Sequence, residues 1–255
     1  MKEFAGKVAM ITGAAHGIGY SFALEAVRRG MKLALVDIDA PALEAVAAEC
    51  REMGAEVLTC ETDVSVYEEA KASVQATMDR YGQIDVLFAN AGIATAGSIL
   101  HIPIRDWEWA LAVNTMGIVH YVHEVLPIME AQKTPAHLMC TASIAGLRAG
   151  MAINPPYFCS KHAAVSVAES VKAEVEPAAW TSVSLCSARC MWPQTLITVR
   201  RTVLLVSGMM RTRFTAVRSI YLLGRHSIRT LPEGCRWNTL ARDCSRRLRT
   251  TRCTL

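Results

Sequence analysis

Tyr157 and Lys161 stand four residues apart in "YFCSK", with no proline or glycine between them. On a helix that spacing puts both side chains on one face, a turn apart. A phenol free in water keeps its proton up to a pH of about 10 and is a poor base near neutrality. An ammonium about 5 Å away, at an effective dielectric near 20, favours the phenolate by about 3 kcal/mol, which brings such a phenol into the range of acid–base work at neutral pH. Fourteen residues before Tyr157, the run "HLMCTAS" ends at Ser143, a hydroxyl placed to hydrogen-bond the same reacting oxygen. Each residue also has an ordinary use, since Tyr and Lys share helix faces in many proteins and a serine after a strand is a common cap. What surrounds them has to decide.

Near the start of the chain, "TGAAHGIG" (Thr12 to Gly19) follows the apolar run Val8-Ala9-Met10-Ile11 and precedes "YSFALEAVRRG". This reads as strand, glycine turn and helix. The free N–H groups and the positive dipole end of such a helix point into the turn, which suits a phosphate. A second apolar run, "KLALVD", ends at Asp37, where a dinucleotide fold keeps a carboxylate for the adenosine ribose. The spacing Gly13-x3-Gly17-x-Gly19 is not G-x-G-x-x-G, and a tight loop without a ligand is the competing reading of this stretch taken alone.

The elements that must position these residues alternate. Strands are expected near 7–12, 32–37, 56–62, 85–89, 137–142 and 181–185, with helices near 17–29, 40–53, 66–81, 104–131 and 156–176. Short connections between them argue for an α/β fold, a three-layer doubly wound parallel sheet with helices on both faces. With 255 residues, 52% of them hydrophobic, the chain can bury one large core.

In family order over residues 1–184, these segments resemble the short-chain dehydrogenase/reductase family. The resemblance is carried by Thr-Gly-x3-Gly-x-Gly in "TGAAHGIG", Asp63-Val64 after the third strand, "ANAG" (Ala89 to Gly92) in place of Asn-Asn-Ala-Gly, Asn114 in "AVNTMG", Ser143, and Tyr157 with Lys161. It implies a Rossmann-type domain and hydride transfer between a nicotinamide cofactor and an alcohol or ketone. Tyr157 would exchange a proton with the substrate oxygen, Ser143 would stabilise that oxygen, and Lys161 would favour the phenolate while holding the nicotinamide ribose. Asn114 would help hold a water in a proton relay to Lys161. Thr12, Gly13, His16, Gly17, Ile18 and Gly19 are expected on the cofactor, with Asp37 on the ribose, Asp63 and Val64 framing the adenine, and Asn90, Ala91 and Gly92 beside it. NAD is expected over NADP, because no Arg or Lys lies near Asp37 to pair with a 2′-phosphate. The family places the helix carrying His120 and His123 at a dimer interface, so a homo-oligomer is expected, and these histidines are not read as metal ligands.

Other classes fit less well. No apolar run reaches the 18 or more residues of a membrane span, and the N-terminus does not read as a signal peptide, so the expected location is cytoplasmic. Cys50, Cys60, Cys140 and Cys159 are scattered and read as free buried thiols. No G-x-S-x-G elbow appears, and Cys186, Cys190, Cys235, Cys244 and Cys253 lack C-x-x-C spacing, so neither a serine hydrolase nor a zinc site is expected. The net charge of +4 conceals a break: residues 1–184 carry 13 basic and 21 acidic side chains, whereas residues 185–255 carry 14 and 2, and all 14 are arginine. Those arginines form no helical stripe and lack interleaved aromatics, so nucleic-acid binding is not expected. The Pro-Gly turn that the family has after the sixth strand is replaced by "LCSARCMWPQT". Residues 185–255 are read as an atypical tail, out of frame with the gene, and the alternative to an active enzyme is a dinucleotide-binding protein impaired by loss of its substrate cap.

Overall fold

The computed structural model describes residues 3–147 and 154–175 in full, and the backbone of 181–187, 194–199 and 202–207. Statements on the rest of the tail, including its arginines and most of its cysteines, lie outside the described residues. In chain order the elements are β1 (Val8–Thr12), α1 (Gly17–Arg28), β2 (Lys32–Asp37), α2 (Ala40–Glu52), β3 (Val57–Glu61), α3 (Tyr67–Tyr81), β4 (Val86–Ala89), α4 (Ile104–Leu111), α5 (Gly117–Gln132), β5 (Ala136–Ala142), α6 (Pro155–Val175), β6 (Thr181–Ser187), β7 (Gln194–Val199) and β8 (Thr202–Ser207). Six strands form one parallel sheet in the order β3-β2-β1-β4-β5-β6, and β7 and β8 pair antiparallel as a separate sheet.

Both faces of the central strands are buried, which is why they read as continuous apolar runs rather than alternating ones. Ala9, Ile11, Leu33 and Leu35 pack with Phe22 and Val27 of α1 and Leu43 and Ala47 of α2. Met10, Ala34 and Val36 face the other way, into a core with Val74 of α3, Tyr121, Val125 and Met129 of α5, and Ala164 and Ala168 of α6. Phe22 stacks on Phe88 of β4 with ring centroids 4.6 Å apart. Among the described residues no helix is long and apolar enough to cross a membrane.

The strand order turns in opposite directions from β1, through β2 on one side and β4 on the other. At such a reversal the connections leave the sheet apart from each other and open a crevice above the carboxyl ends of the strands. One expected helix is not uniform. In place of a single helix over 104–131, α4 and α5 are joined by a π-helical stretch, Ala112–Met116, which includes Asn114. The sixth strand also runs past Ser184 to Ser187, paired with β5 throughout.

Candidate active site

A cleft of about 490 Å³ opens over that reversal, walled by residues from the ends of β1, β2, β3, β4 and β5 and from α4 and α6. Its floor is the glycine turn. Gly13 has φ +66°, and a Cβ there would lie 2.8 Å from Ala91 Cα, so this turn can pass under the β4 loop only as glycine. A Cβ on Gly19 would lie 1.9 Å from the Gly13 carbonyl oxygen, so its absence lets α1 start hard against the turn. α1 has no side-chain cap from His16 and no acidic residue in its first turn, whereas α2 is capped by Asp39, which accepts from Ala42 N. The amino end of α1 is thus left for an anion, with Gly17 and Ile18 walling the cleft beside it.

Asp37 is fixed in place by two main-chain donors, Ala15 N at 2.9 Å and Asp39 N at 3.1 Å. Beside it the His16 imidazole meets the Asp39 carboxylate at 2.9 Å. That hydrogen bond, and then the one from Ala42 N, hold the Asp39 carboxyl below its usual range. Across the cleft, Asp63 accepts from both the amide and the hydroxyl of Ser65. Val64 is held from behind by His120 Nδ1, 3.0 Å from its carbonyl oxygen, so this histidine serves the cleft wall.

The other half of the cleft is built on β5 and α6. Lys161 is buried and donates from Nζ to the Thr141 carbonyl at 3.0 Å, with the Tyr157 ring centroid 5.9 Å away. The two share a helix face, as their spacing requires, and both line the cleft together with Thr141 and Ala142. Ser143 follows β5 and caps a 3-10 turn, Ile144–Gly146, accepting from Ala145 N at 3.2 Å. Ser143 is buried and is not among the residues that wall the cleft.

Of the expected cofactor or catalytic residues, Thr12, Gly19, Asn114 and Ser143 are not among those that wall the cleft. Thr12 is buried, and its hydroxyl accepts from Asn90 N and Ala91 N at 2.9 and 3.0 Å, so it ties β1 to the β4 loop instead of lining the cleft. Asn90 bridges three strands, donating to the Thr12 carbonyl at 3.0 Å and accepting from Thr141 Oγ at 3.1 Å, and it also lines the cleft. Gly19 packs the helix. Asn114 is fully buried, with Oδ1 accepting from Ile93 N at 2.7 Å and Nδ2 donating to Ile93 O and Ser160 Oγ, each at 2.9 Å. Its amide is thus committed to protein partners; a side-chain grip on a relay water, as the resemblance suggested, would have to share these atoms. Gly13, His16, Gly17, Ile18, Asp37, Asp63, Val64, Asn90, Ala91, Gly92, Tyr157 and Lys161 all wall the cleft as expected. Sequence reading missed Ile38, Thr62, Ile93, Ala94, Trp109, Val113, Thr141 and Ala142. Ile38 and Thr62 follow directly on strands whose ends were already placed at the crevice, so strand ends alone would have found them. The cysteines also differ in part, for Cys50 and Cys140 are buried, Cys60 is half-buried and Cys159 is exposed.

A family model described as short chain dehydrogenase matches residues 7–191. Over 180 residues, 70% of this chain, the sequence is 44% identical to a CLA biosynthesis dehydrogenase/reductase of Lactiplantibacillus plantarum, of which it spans 62%. The fold is similar to a short-chain dehydrogenase/reductase from Burkholderia phymatum solved in complex with NAD, with TM-score 0.70 and 38% identity over 73% of this chain and 67% of that one. NAD+-bound xylitol dehydrogenase superposes with TM-score 0.71 at 31% identity, over 75% of this chain and 73% of that one.

Proposed function

The chain belongs to the short-chain dehydrogenase family, and on that premise we propose that it is an NAD-dependent oxidoreductase acting on an alcohol or ketone, with Tyr157 as its acid and base. The observation that carries this reading is a single cleft holding both an uncapped helix amino end over a glycine turn and the Tyr157–Lys161 pair. The dinucleotide fits the residues present. Gly13, Gly17 and Ile18 with the α1 amino end would hold its pyrophosphate, Asp37 the adenosine ribose, Asp63 and Val64 the adenine, and Lys161 the second ribose. When bound, the cofactor supplies the hydride chemistry.

The chain's own residues handle the proton. In alcohol oxidation the Tyr157 phenolate oxygen takes the substrate hydroxyl proton, and in ketone reduction the phenol returns it. The Lys161 ammonium, anchored by the Thr141 carbonyl, would stabilise the developing oxyanion, and Ser143 would donate to the same oxygen.

A second reading, a dinucleotide-binding protein with impaired turnover, is favoured by where the family match ends, at residue 191. Under either reading we propose 1–184 as the dinucleotide-binding domain and 185–255 as an out-of-frame tail. Translating the gene downstream of codon 184 in the other two frames tests this: a Pro-Gly turn followed by alternating helices and strands supports it, and their absence from both defeats it. We also propose a second copy of the chain as partner, seated on the groove that Val122, Leu126, Val167 and Val171 line between α5 and α6. Cofactor-dependent turnover of a panel of secondary alcohols and ketones separates the two functional readings; binding of NAD with no turnover on any of them would leave the second.

A further inference from the structure

Ser160 sits between Tyr157 and Lys161 on α6 and is fully buried. Its hydroxyl oxygen accepts from Asn114 Nδ2 at 2.9 Å, and its proton goes to the Tyr157 main-chain carbonyl at 2.9 Å. Its own carbonyl accepts from Thr115 Oγ at 3.1 Å. Asn114 and Thr115 are consecutive residues of the π-helical stretch, and Asn114 grips both polar atoms of the Ile93 main chain. Ile93 in turn walls the cleft.

We propose that Ser160 is a positioning residue, which sets the register of α6, and with it the Tyr157–Lys161 pair, against the Ile93 wall of the cleft by way of Asn114. This rests on the proposed function, since it concerns the placing of that acid and base.

A continuous line of donors runs through the site. Ile93 N–H gives to Asn114, Asn114 N–H to Ser160, and Ser160 O–H to the Tyr157 carbonyl. All three point the same way, so each bond polarises the next in a setting shielded from water. Both Asn114 Nδ2 protons have partners only while Ser160 Oγ is present, because the Ile93 carbonyl takes one of them. Removing that oxygen strands a buried donor.

Packing does not give the same control. At Gly146 the 3-10 turn approaches α6 so closely that a Cβ would lie 2.4 Å from the Lys161 carbonyl, which sets a distance but does not stop rotation. Directional bonds do. Ser160 binds two residues of a stretch whose extra residue per turn has to be fixed at one place along the helix, and such stretches recur at functional sites. The pair on either side of Ser160 therefore moves if this joint loosens.

The test compares Ser160→Ala, which removes both side-chain bonds, with Ser160→Thr, which keeps the hydroxyl. Three quantities are read: amide hydrogen exchange, NAD affinity, and kcat for alcohol oxidation as a function of pH. Ser160→Ala should speed exchange in 112–116 and 157–161 and keep the NAD Kd within about twofold. It should lower kcat by about tenfold or more and alter the pH profile of kcat. Ser160→Thr should recover most of the kcat and the parent pH profile. Parent-like exchange in 112–116, an unchanged kcat and pH profile in Ser160→Ala, or a Ser160→Thr no better than alanine would each overturn the proposal. Should the alanine variant fail to fold, Ser160→Cys, near in size but a weak hydrogen-bonder, is read against the same outcomes. A parent protein that binds NAD but turns over nothing defeats the oxidoreductase reading, while the exchange measurement still decides the role of Ser160.

Discussion

Asp37 shows how much one side chain can decide. Both of its carboxylate oxygens hold main-chain donors, Ala15 and Asp39, so it cannot swing away from a ligand that disagrees with it. The His16 imidazole beside it is already bonded to the Asp39 carboxylate. A ribose hydroxyl can donate to such a group, whereas a 2′-phosphate meets like charge with no free arginine or lysine among the described wall residues on that side. NAD should therefore bind at least about tenfold more tightly than NADP, and fluorescence titration with both cofactors checks it; tighter binding of NADP would sink the argument. Lys161 should be a different kind of residue, because in the proposed function it serves both the phenol and the ribose. Lys161→Ala is expected to weaken turnover and NAD affinity together, read in the same titration and a rate assay.

At the scale of elements, the glycine turn and α1 form one unit. Gly19→Ala would drive a methyl group into the Gly13 carbonyl, so α1 must back away from the turn. The expected cost is about 2 kcal/mol, as for overpacking elsewhere, with a loss of NAD affinity of about tenfold; a urea midpoint and a cofactor titration measure the two. This unit was readable in the sequence because its glycines, its apolar strand and its helix are neighbours in the chain. The six parallel strands were readable for a related reason, since burial on both faces leaves an apolar run that polar connections interrupt. The π-helical stretch was not. Residues 104–131 carry an unbroken helical pattern, and the extra residue is held by bonds from Asn114 to Ile93 and Ser160, partners that sequence spacing does not bring together. The place of Thr12 was hidden in the same way, because only the β4 loop lying over it shows that its hydroxyl faces Asn90 and Ala91. Tyr157 and Lys161 were legible because helix geometry alone brings them to one face.

For the molecule as a whole, acid stability turns in part on His137 in β5. Burial pushes its imidazole from an ordinary 6.5 down to about 4, so the folded chain holds this ring neutral where the unfolded chain would protonate it. The unfolded state then binds the extra proton between those two values, and stability falls as the pH drops from 6.5 to about 4, with no further contribution from this group above or below that window. Because the residue is partly exposed, the loss is taken as about 2 kcal/mol. Denaturant midpoints across that range check it, and His137→Asn should flatten the slope. The thiols of Cys50 and Cys140 are pushed up by burial, to about 11 and about 12, and stay protonated throughout. In the proposed function one cleft binds NAD and moves the substrate proton through Tyr157. This is tested most directly by following NAD reduction with a panel of secondary alcohols in the parent protein and in Tyr157→Phe, with NAD affinity measured on the same samples. The parent should show slow NAD-dependent turnover, the variant should lose it by about a hundredfold or more, and the two affinities should lie within about twofold of each other. Equal turnover by the two proteins would contradict that function.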